Sequence, residues 1–212
     1  MRKPLIPKGI EIVARYEVLF CCCHLNILLH ATNLDTNDGS LIGFLACFAD
    51  FFGRLTEFVN FVRTMSKTER YKTLFEQIKA LVADEGDLIA NMANVAAMLH
   101  HEFGFWWTGF YRVDMASGQL VLGPFQGPVA CCRIGFGKGV CGSAWERKAT
   151  VVVPDVHKFP GHIACSSASN SEIVVPVFRG DTVIAVLDID STAFGTFDAT
   201  DREWLERIVA VL

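Results

Sequence analysis

The sequence of 212 residues lacks an excess of positive charge. Its 19 Lys and Arg residues are outnumbered by 23 Asp and Glu residues, which leaves a net charge of -4. Proteins that bind nucleic acid usually present a basic surface to the phosphates, so no nucleic-acid partner is expected. The composition, with 51% hydrophobic and 20% charged residues, is that of a folded globular chain rather than a disordered one.

The sequence also lacks a convincing membrane span, which needs about 20 mostly apolar residues. The longest apolar run, at 41–62, is interrupted by charged residues. A cleavable secretory signal is not expected either, because Glu11 and Arg15 break the central apolar region that such a signal needs. We therefore expect a cytoplasmic protein in which residues 1–64 form an apolar extension of uncertain structure. An interfacial helix in this extension is an open alternative.

The eight cysteines lack the spacing of a secreted disulfide framework. Such frameworks occur in short secreted chains, so a reduced cytosolic setting with reactive thiols is favoured. Structural zinc sites usually pair ligands two to four residues apart. His162 and Cys165 have that spacing but no second pair does, so no metal site is predicted. The cysteines are Cys21, Cys22, Cys23, Cys47, Cys131, Cys132, Cys141 and Cys165.

Hydrophobic periodicity predicts an α+β domain over residues 66–212. Apolar residues at helical spacing indicate one helix in "SKTERYKTLFEQIKALVADEGD", a second from Asp87 to Gly104 and a last one capped by Asp198. Alternating segments indicate a hairpin of "FWWTGFYRVD" and "GQLVLGPF", followed by strands in "ATVVVPD", "SEIVVPVF" and "TVIAVLDID". We expect a central antiparallel sheet flanked by helices, with a loop-rich middle.

The loop-rich middle contains closely spaced glycines between Gly123 and Gly142. Glycine allows the backbone to approach a ligand, and a glycine-rich loop that opens a helix can offer N–H groups to an anion. The phosphate-binding pattern G-x-x-x-x-G-K-[ST] is missing, so a small carboxylate is the expected guest rather than a nucleotide.

Three acids follow Cys165 closely, namely Glu172, Asp188 and Asp190. Strand alternation places Asp188 and Asp190 on one face. A carboxyl group in a closed pocket can keep its proton near neutral pH, which would make it a general acid. The alternative is a polar strand end that turns into solvent.

Two aromatic residues, Trp107 and Tyr111, share one face of an earlier strand. They could line a pocket or simply belong to the core. Trp106 points to the opposite side of the strand and is assigned to the core.

Four segments resemble the free methionine-R-sulfoxide reductase family, whose enzymes have the GAF fold. They are "GPFQGPVAC", "IGFGKGVCG", "PDVHKFPGHIAC" and "SASNSEIVVP". The resemblance runs from about Lys67 to the C-terminus. It implies a GAF-like catalytic domain that reduces free L-methionine-R-sulfoxide to L-methionine. It also implies no bound cofactor, reducing equivalents from NADPH through thioredoxin as partner, and a homodimer by analogy.

The resemblance assigns a role to each candidate residue. Cys165 is similar to the catalytic cysteine, Cys131 to the resolving cysteine and Cys141 to a third redox-active cysteine. Cys132 departs from the family pattern, and which thiol pairs with Cys165 is open. The residues similar to the family's substrate-binding residues are Trp107, Tyr111, Glu172, Asp188 and Asp190.

A GAF module that senses a small ligand without catalysis is the alternative function. The N-K-x-F-D-E pattern of cyclic-nucleotide sensors is missing, and residues 1–64 contain no recognisable output domain. The enzyme is therefore the favoured interpretation.

Overall fold

The computed structural model describes residues 65–163 and 167–212. Lys67–Leu212 form one compact unit. The predicted extension at 1–64 and the predicted catalytic Cys165 lie outside the described residues, and the domain boundaries stay a prediction. Among the helices that the structure describes, none is long and apolar enough to cross a membrane.

A six-stranded antiparallel sheet forms the centre of this unit. The strand order is β3-β2-β1-β6-β5-β4, so the two longest strands and the first hairpin lie in the middle. Each of these strands pairs with its neighbours in the antiparallel sense, as the alternating sequence pattern predicted. The strands are β1 Trp107–Asp114, β2 Gln119–Gln126, β3 Arg133–Gly135, β4 Val151–Val153, β5 Ser171–Arg179 and β6 Thr182–Ser191.

Helices cover both faces of the sheet, and each face has its own core. The helices are α1 Lys67–Val82, α2 Leu88–Phe103, α3 Gly139–Arg147 and α4 Ala199–Val209. Apolar side chains of α1, α2 and α4 pack against Phe110 and Leu187 on one face. On the other face, α3 packs against Val174 and Val186. The predicted α+β architecture with a flanked central sheet is therefore confirmed.

The predicted helix ends also form as expected. Asp87 caps α2, because its side chain accepts hydrogen bonds from the N–H groups of Ile89 and Ala90. Gly104 ends the same helix at φ 66°, a left-handed conformation that glycine adopts at low cost. Asp198 caps α4 in a capping box with Asp201.

The middle segment contains two elements that periodicity did not predict, the short strand β3 and the helix α3. Glycine is a poor helix former, so Gly139 and Gly142 hid the helix. A Cβ atom at Gly142 would lie 2.4 Å from the carbonyl oxygen of Gly135. The glycine therefore allows α3 to lie directly against the end of β3, and this packing was not visible as periodicity.

The assignment of Trp106 to the core is wrong. Trp106 lies just before β1 begins, at the end of the sheet, and 39% of its surface is exposed. Strand alternation correctly placed its side chain away from Trp107, but it did not show that the helices leave this position uncovered.

Candidate active site

The register of the sheet brings the three predicted acids together. Glu172 on β5 lies opposite Asp190 on β6, and Asp188 follows two residues away on the same face. Glu172 and Asp188 are each only 6% exposed. Three carboxyl groups from two neighbouring strands thus share one buried site beneath α3.

These acids line a pocket between the sheet, the start of α3 and the segment around His162. Of the predicted site residues, six line this pocket. Cys131 does not line it, although its neighbour Ala130 does, and Cys165 lies outside the described residues. The lining residues are Trp107, Tyr111, Pro128, Val129, Ala130, Ile134, Gly139, Val140, Cys141, His162, Ile163, Ser169, Glu172, Asp188 and Asp190.

Aromatic rings form one wall of the pocket. The ring of Trp107 stacks on Tyr111 at 5.9 Å and on Phe125 at 5.5 Å between ring centroids. The indole N–H of Trp107 donates to the carbonyl oxygen of Pro128 at 3.0 Å. The Tyr111 hydroxyl donates to the carbonyl oxygen of Cys131, also at 3.0 Å. These hydrogen bonds fix the rings and tie the segment that carries Cys131 to the pocket wall.

Burial raises the pKa of all three carboxyl groups. For Glu172 and Asp188 the pKa lies well above the ordinary value, because desolvation and neighbouring acids both disfavour the charged form. Desolvation also raises the pKa of Asp190, to about 6. The cluster therefore binds protons at a pH at which isolated carboxyl groups would be ionised.

One basic side chain faces this cluster in the described part of the chain. The Nε2 atom of His162 lies 3.6 Å from an Oε2 oxygen of Glu172. By contrast, the Oδ1 oxygen of Asp188 is buried without a hydrogen-bond partner among the described residues. A buried acceptor without a partner costs free energy, so the pocket has a place for a cationic or hydrogen-bonding guest.

The cysteines near the pocket differ in disulfide bonding and in exposure. Cys141 is a free thiol, 2% exposed, with its Sγ atom 4.0 Å from an Oε1 oxygen of Glu172. Burial and the adjacent acids raise the pKa of this thiol well above its ordinary value, so it stays protonated at neutral pH. Cys132 is free and exposed. Cys131 is disulfide-bonded.

Two features of the site escaped sequence analysis. Phe125 completes the aromatic wall because it pairs with Gly109, where a Cβ atom would lie 2.4 Å from the Cβ of Phe125 and 2.6 Å from the Trp107 ring. The glycine inside a strand was the available signal. Ser169 is buried at the edge of the pocket, and only its place in a run of small polar residues hinted at this.

The donor atoms at the base of the pocket could also hold a metal ion. The Sγ atom of Cys141 and one oxygen each of Glu172 and Asp188 lie within 4.8 Å of one another. Sequence spacing predicted no metal site, because these residues come from three different elements.

Comparison with known proteins identifies a matching family and several similar chains. Residues 82–212 match the family model of the GAF domain. The chain is 52% identical over 147 residues to GAF domain-containing protein A of Dictyostelium discoideum, which covers 69% of this chain and 92% of that protein. It is 48% identical over 149 residues to the free methionine-R-sulfoxide reductase of Escherichia coli, which covers 70% of this chain and 89% of that enzyme.

A solved structure of a free methionine-R-sulfoxide reductase is also similar to this chain. The free methionine-R-sulfoxide reductase from Neisseria meningitidis, solved in complex with its substrate, matches with a TM-score of 0.69 at 52% identity. The match covers 70% of this chain and 89% of that chain. Together these matches confirm the predicted GAF-like fold and the predicted family resemblance.

Proposed function

Since the chain belongs to the free methionine-R-sulfoxide reductase family of GAF-domain enzymes, we propose that it reduces free L-methionine-R-sulfoxide to L-methionine with its own cysteines. The observation that carries this proposal is the convergence of Glu172, Asp188 and Asp190 on one buried pocket. A free amino acid brings an ammonium group, and such a group supplies the positive charge that these acids lack.

Each end of the substrate finds matching chemistry in the pocket. The ammonium group binds between the acids, where the Oδ1 oxygen of Asp188 has no hydrogen-bond partner among the described residues. The carboxylate faces the start of α3, where Gly139 and Val140 line the pocket and backbone N–H groups favour an anion. The methyl sulfoxide end lies against the rings of Trp107 and Tyr111.

In the first step, the thiolate of Cys165 attacks the sulfur of the sulfoxide. A protonated acid of the cluster gives its proton to the sulfoxide oxygen, which is transferred to the cysteine. Methionine leaves and Cys165 becomes a sulfenic acid. The described residues on both sides of residues 164–166, His162, Ile163 and Ser169, line the pocket, which supports this assignment. The raised pKa of Cys141 disfavours it as the attacking thiolate.

In the second step, Cys131 attacks the sulfenic acid, releases water and forms a disulfide with Cys165. The participation of Cys131 in a disulfide supports its role as the resolving thiol. Cys141 is the third redox-active thiol of the proposal, and it can take up the disulfide by thiol–disulfide exchange. Thioredoxin then returns two electrons, drawn from NADPH, to the cysteines. The enzyme holds no cofactor in this scheme, and its cytoplasmic location and dimeric state stay predictions.

The test is turnover of free methionine-R-sulfoxide with NADPH, thioredoxin reductase and thioredoxin. Cys165→Ser should lose essentially all activity, with dithiothreitol as well as with thioredoxin, because the attacking thiolate is gone. Cys132→Ser is the matched control and should turn over at the normal rate, since Cys132 is exposed and lies outside the pocket. More than a few per cent of activity in Cys165→Ser would move the nucleophile to another thiol. A ligand-sensing module would show no turnover at all.

A further inference from the structure

We propose that the base of the pocket is a zinc site, in which Cys141, Glu172 and Asp188 are the three protein ligands. Their donor atoms, one sulfur and two carboxylate oxygens, lie within 4.8 Å of one another. All three side chains are buried, at 2%, 6% and 6% exposure. The inference of a metal site stands on this geometry, while its effect on catalysis rests on the proposed function.

The spacing of the donor atoms is close to that of a tetrahedral zinc ion. Zinc binds thiolate sulfur at about 2.3 Å and carboxylate oxygen at about 2.0–2.2 Å, which separates sulfur and oxygen by about 3.6 Å. The Sγ atom of Cys141 lies 4.0 Å from the Oε1 oxygen of Glu172. Small side-chain rotations would therefore complete the coordination.

A second observation at the same place also points to a ligand. The Oδ1 oxygen of Asp188 is buried and has no hydrogen-bond partner among the described residues. Two buried acids within reach of a buried thiol leave negative charge uncompensated once they ionise. A divalent cation offsets that charge and deprotonates the thiol as it binds.

The donor set selects the metal. A thiolate with two carboxylates suits a borderline-soft ion such as Zn²⁺, whereas Mg²⁺ and Ca²⁺ prefer oxygen ligands alone. Three protein ligands leave the fourth position open toward the pocket. Since the same acids are proposed to hold the substrate's ammonium group, zinc and substrate exclude each other. Zinc is then a reversible competitive inhibitor.

The test uses the full chain with Cys21, Cys22, Cys23 and Cys47 changed to serine, so that the N-terminal thiols bind no metal. The Cys131 disulfide is kept intact. Calorimetric titration with Zn²⁺ should show one site. Cys141→Ser and Asp188→Asn should each weaken that site by more than about a hundredfold, since even outer-shell groups contribute about ten- to a hundredfold. Cys132→Ser is the matched control and should bind zinc normally.

Cobalt gives a second readout that does not depend on activity. Co²⁺ in the same protein should show a thiolate charge-transfer band that Cys141→Ser abolishes and Cys132→Ser retains. Zinc affinity and cobalt spectra unchanged by Cys141→Ser and Asp188→Asn would overturn the proposal. If zinc binds as predicted and zinc-buffered assays show no rise in KM, the site stands and the competition is wrong. Absence of any turnover would instead count against the proposed function.

Discussion

The two faces of the sheet treat buried carboxyl groups in opposite ways. On the face covered by α1, α2 and α4, here called the helical face, Asp201 is fully buried and accepts hydrogen bonds from Lys67 and from the Tyr71 hydroxyl, the latter at 2.9 Å. Under α3, Glu172 and Asp188 are equally well buried but face each other, and an oxygen of Asp188 has no partner in the described part of the chain.

This difference separates stability from function within one domain. A buried acid with a lysine and a hydroxyl joins α1 to α4 and stabilises the fold. Buried acids that face one another cost stability when they ionise, because burial and the neighbouring carboxyl groups disfavour the charged form and raise the pKa of each. Such an arrangement is retained where a ligand supplies the missing charge.

The largest expected effect comes from replacing an acid of the pocket. Asp188→Asn should lower kcat/KM for free methionine-R-sulfoxide about a thousandfold, because the ammonium group loses a charged partner in a buried site. The same change should raise the free energy of unfolding at pH 7 by about 1–2 kcal/mol, because an uncompensated buried carboxyl group is removed. Steady-state kinetics and urea unfolding measure the two effects. If Asp188→Asn lost stability as well as activity, the pocket acids would stabilise the fold, contrary to the account given for this face.

Asp201→Asn is the matched change on the helical face and should act in the reverse sense. The amide can still accept a hydrogen bond from the Lys67 ammonium but carries no negative charge to compensate it, so the free energy of unfolding should fall by about 2–3 kcal/mol. At a temperature where the variant is folded, kcat/KM should stay within about twofold of the wild-type value. A hundredfold loss of activity in the folded variant would show that this network also serves the pocket.

The pH dependence of stability should reveal the pocket acids directly. The pKa of Asp190 is raised to about 6, above its value in the unfolded chain. Between pH 4 and pH 6 the folded state therefore holds more protons, and the free energy of unfolding falls as pH rises. In buffer with a metal chelator, Asp190→Asn should remove up to about 2 kcal/mol of this fall. An unchanged pH profile would mean that Asp190 is ordinarily solvated.

The smallest expected effects come from changing one tyrosine on each face of the sheet to phenylalanine. Tyr71→Phe leaves an oxygen of Asp201 without its hydroxyl donor and should cost about 1 kcal/mol of stability with no change in kcat/KM. Tyr111→Phe removes the hydrogen bond to the carbonyl oxygen of Cys131 and should lower kcat/KM severalfold. If both changes lowered kcat/KM by the same factor, the two faces would not differ in their contribution to activity.

Sequence periodicity predicted most of the sheet and the three long helices, because each presents a regular apolar stripe. It missed α3, because Gly139 and Gly142 lower the helix propensity of this segment while allowing close packing. The shared strand face of Asp188 and Asp190 was predictable from alternation. The sequence also singled out Glu172, and the resemblance gave all three acids a role in substrate binding. The register that sets Glu172 against Asp190 depends on pairing between strands, which alternation alone does not fix.

The partners of the buried acids were beyond the reach of local patterns. Asp201 contacts Lys67 and Tyr71, which lie 134 and 130 residues earlier in the sequence. Sequence analysis identified only the nearby Asp198, as a helix cap. That the Oδ1 oxygen of Asp188 has no hydrogen-bond partner among the described residues likewise appears only once the chain is folded.

The most direct test of the central claim is a comparison of free and N-acetylated methionine-R-sulfoxide in the wild type and in Asp188→Asn. If the acids of the pocket hold the ammonium group, the wild type should prefer the free amino acid about a thousandfold in kcat/KM. The preference should shrink to about tenfold or less in Asp188→Asn, because charge and partner are lost together. The same ratio of kcat/KM values in both proteins would contradict the account and leave the acids to proton transfer alone.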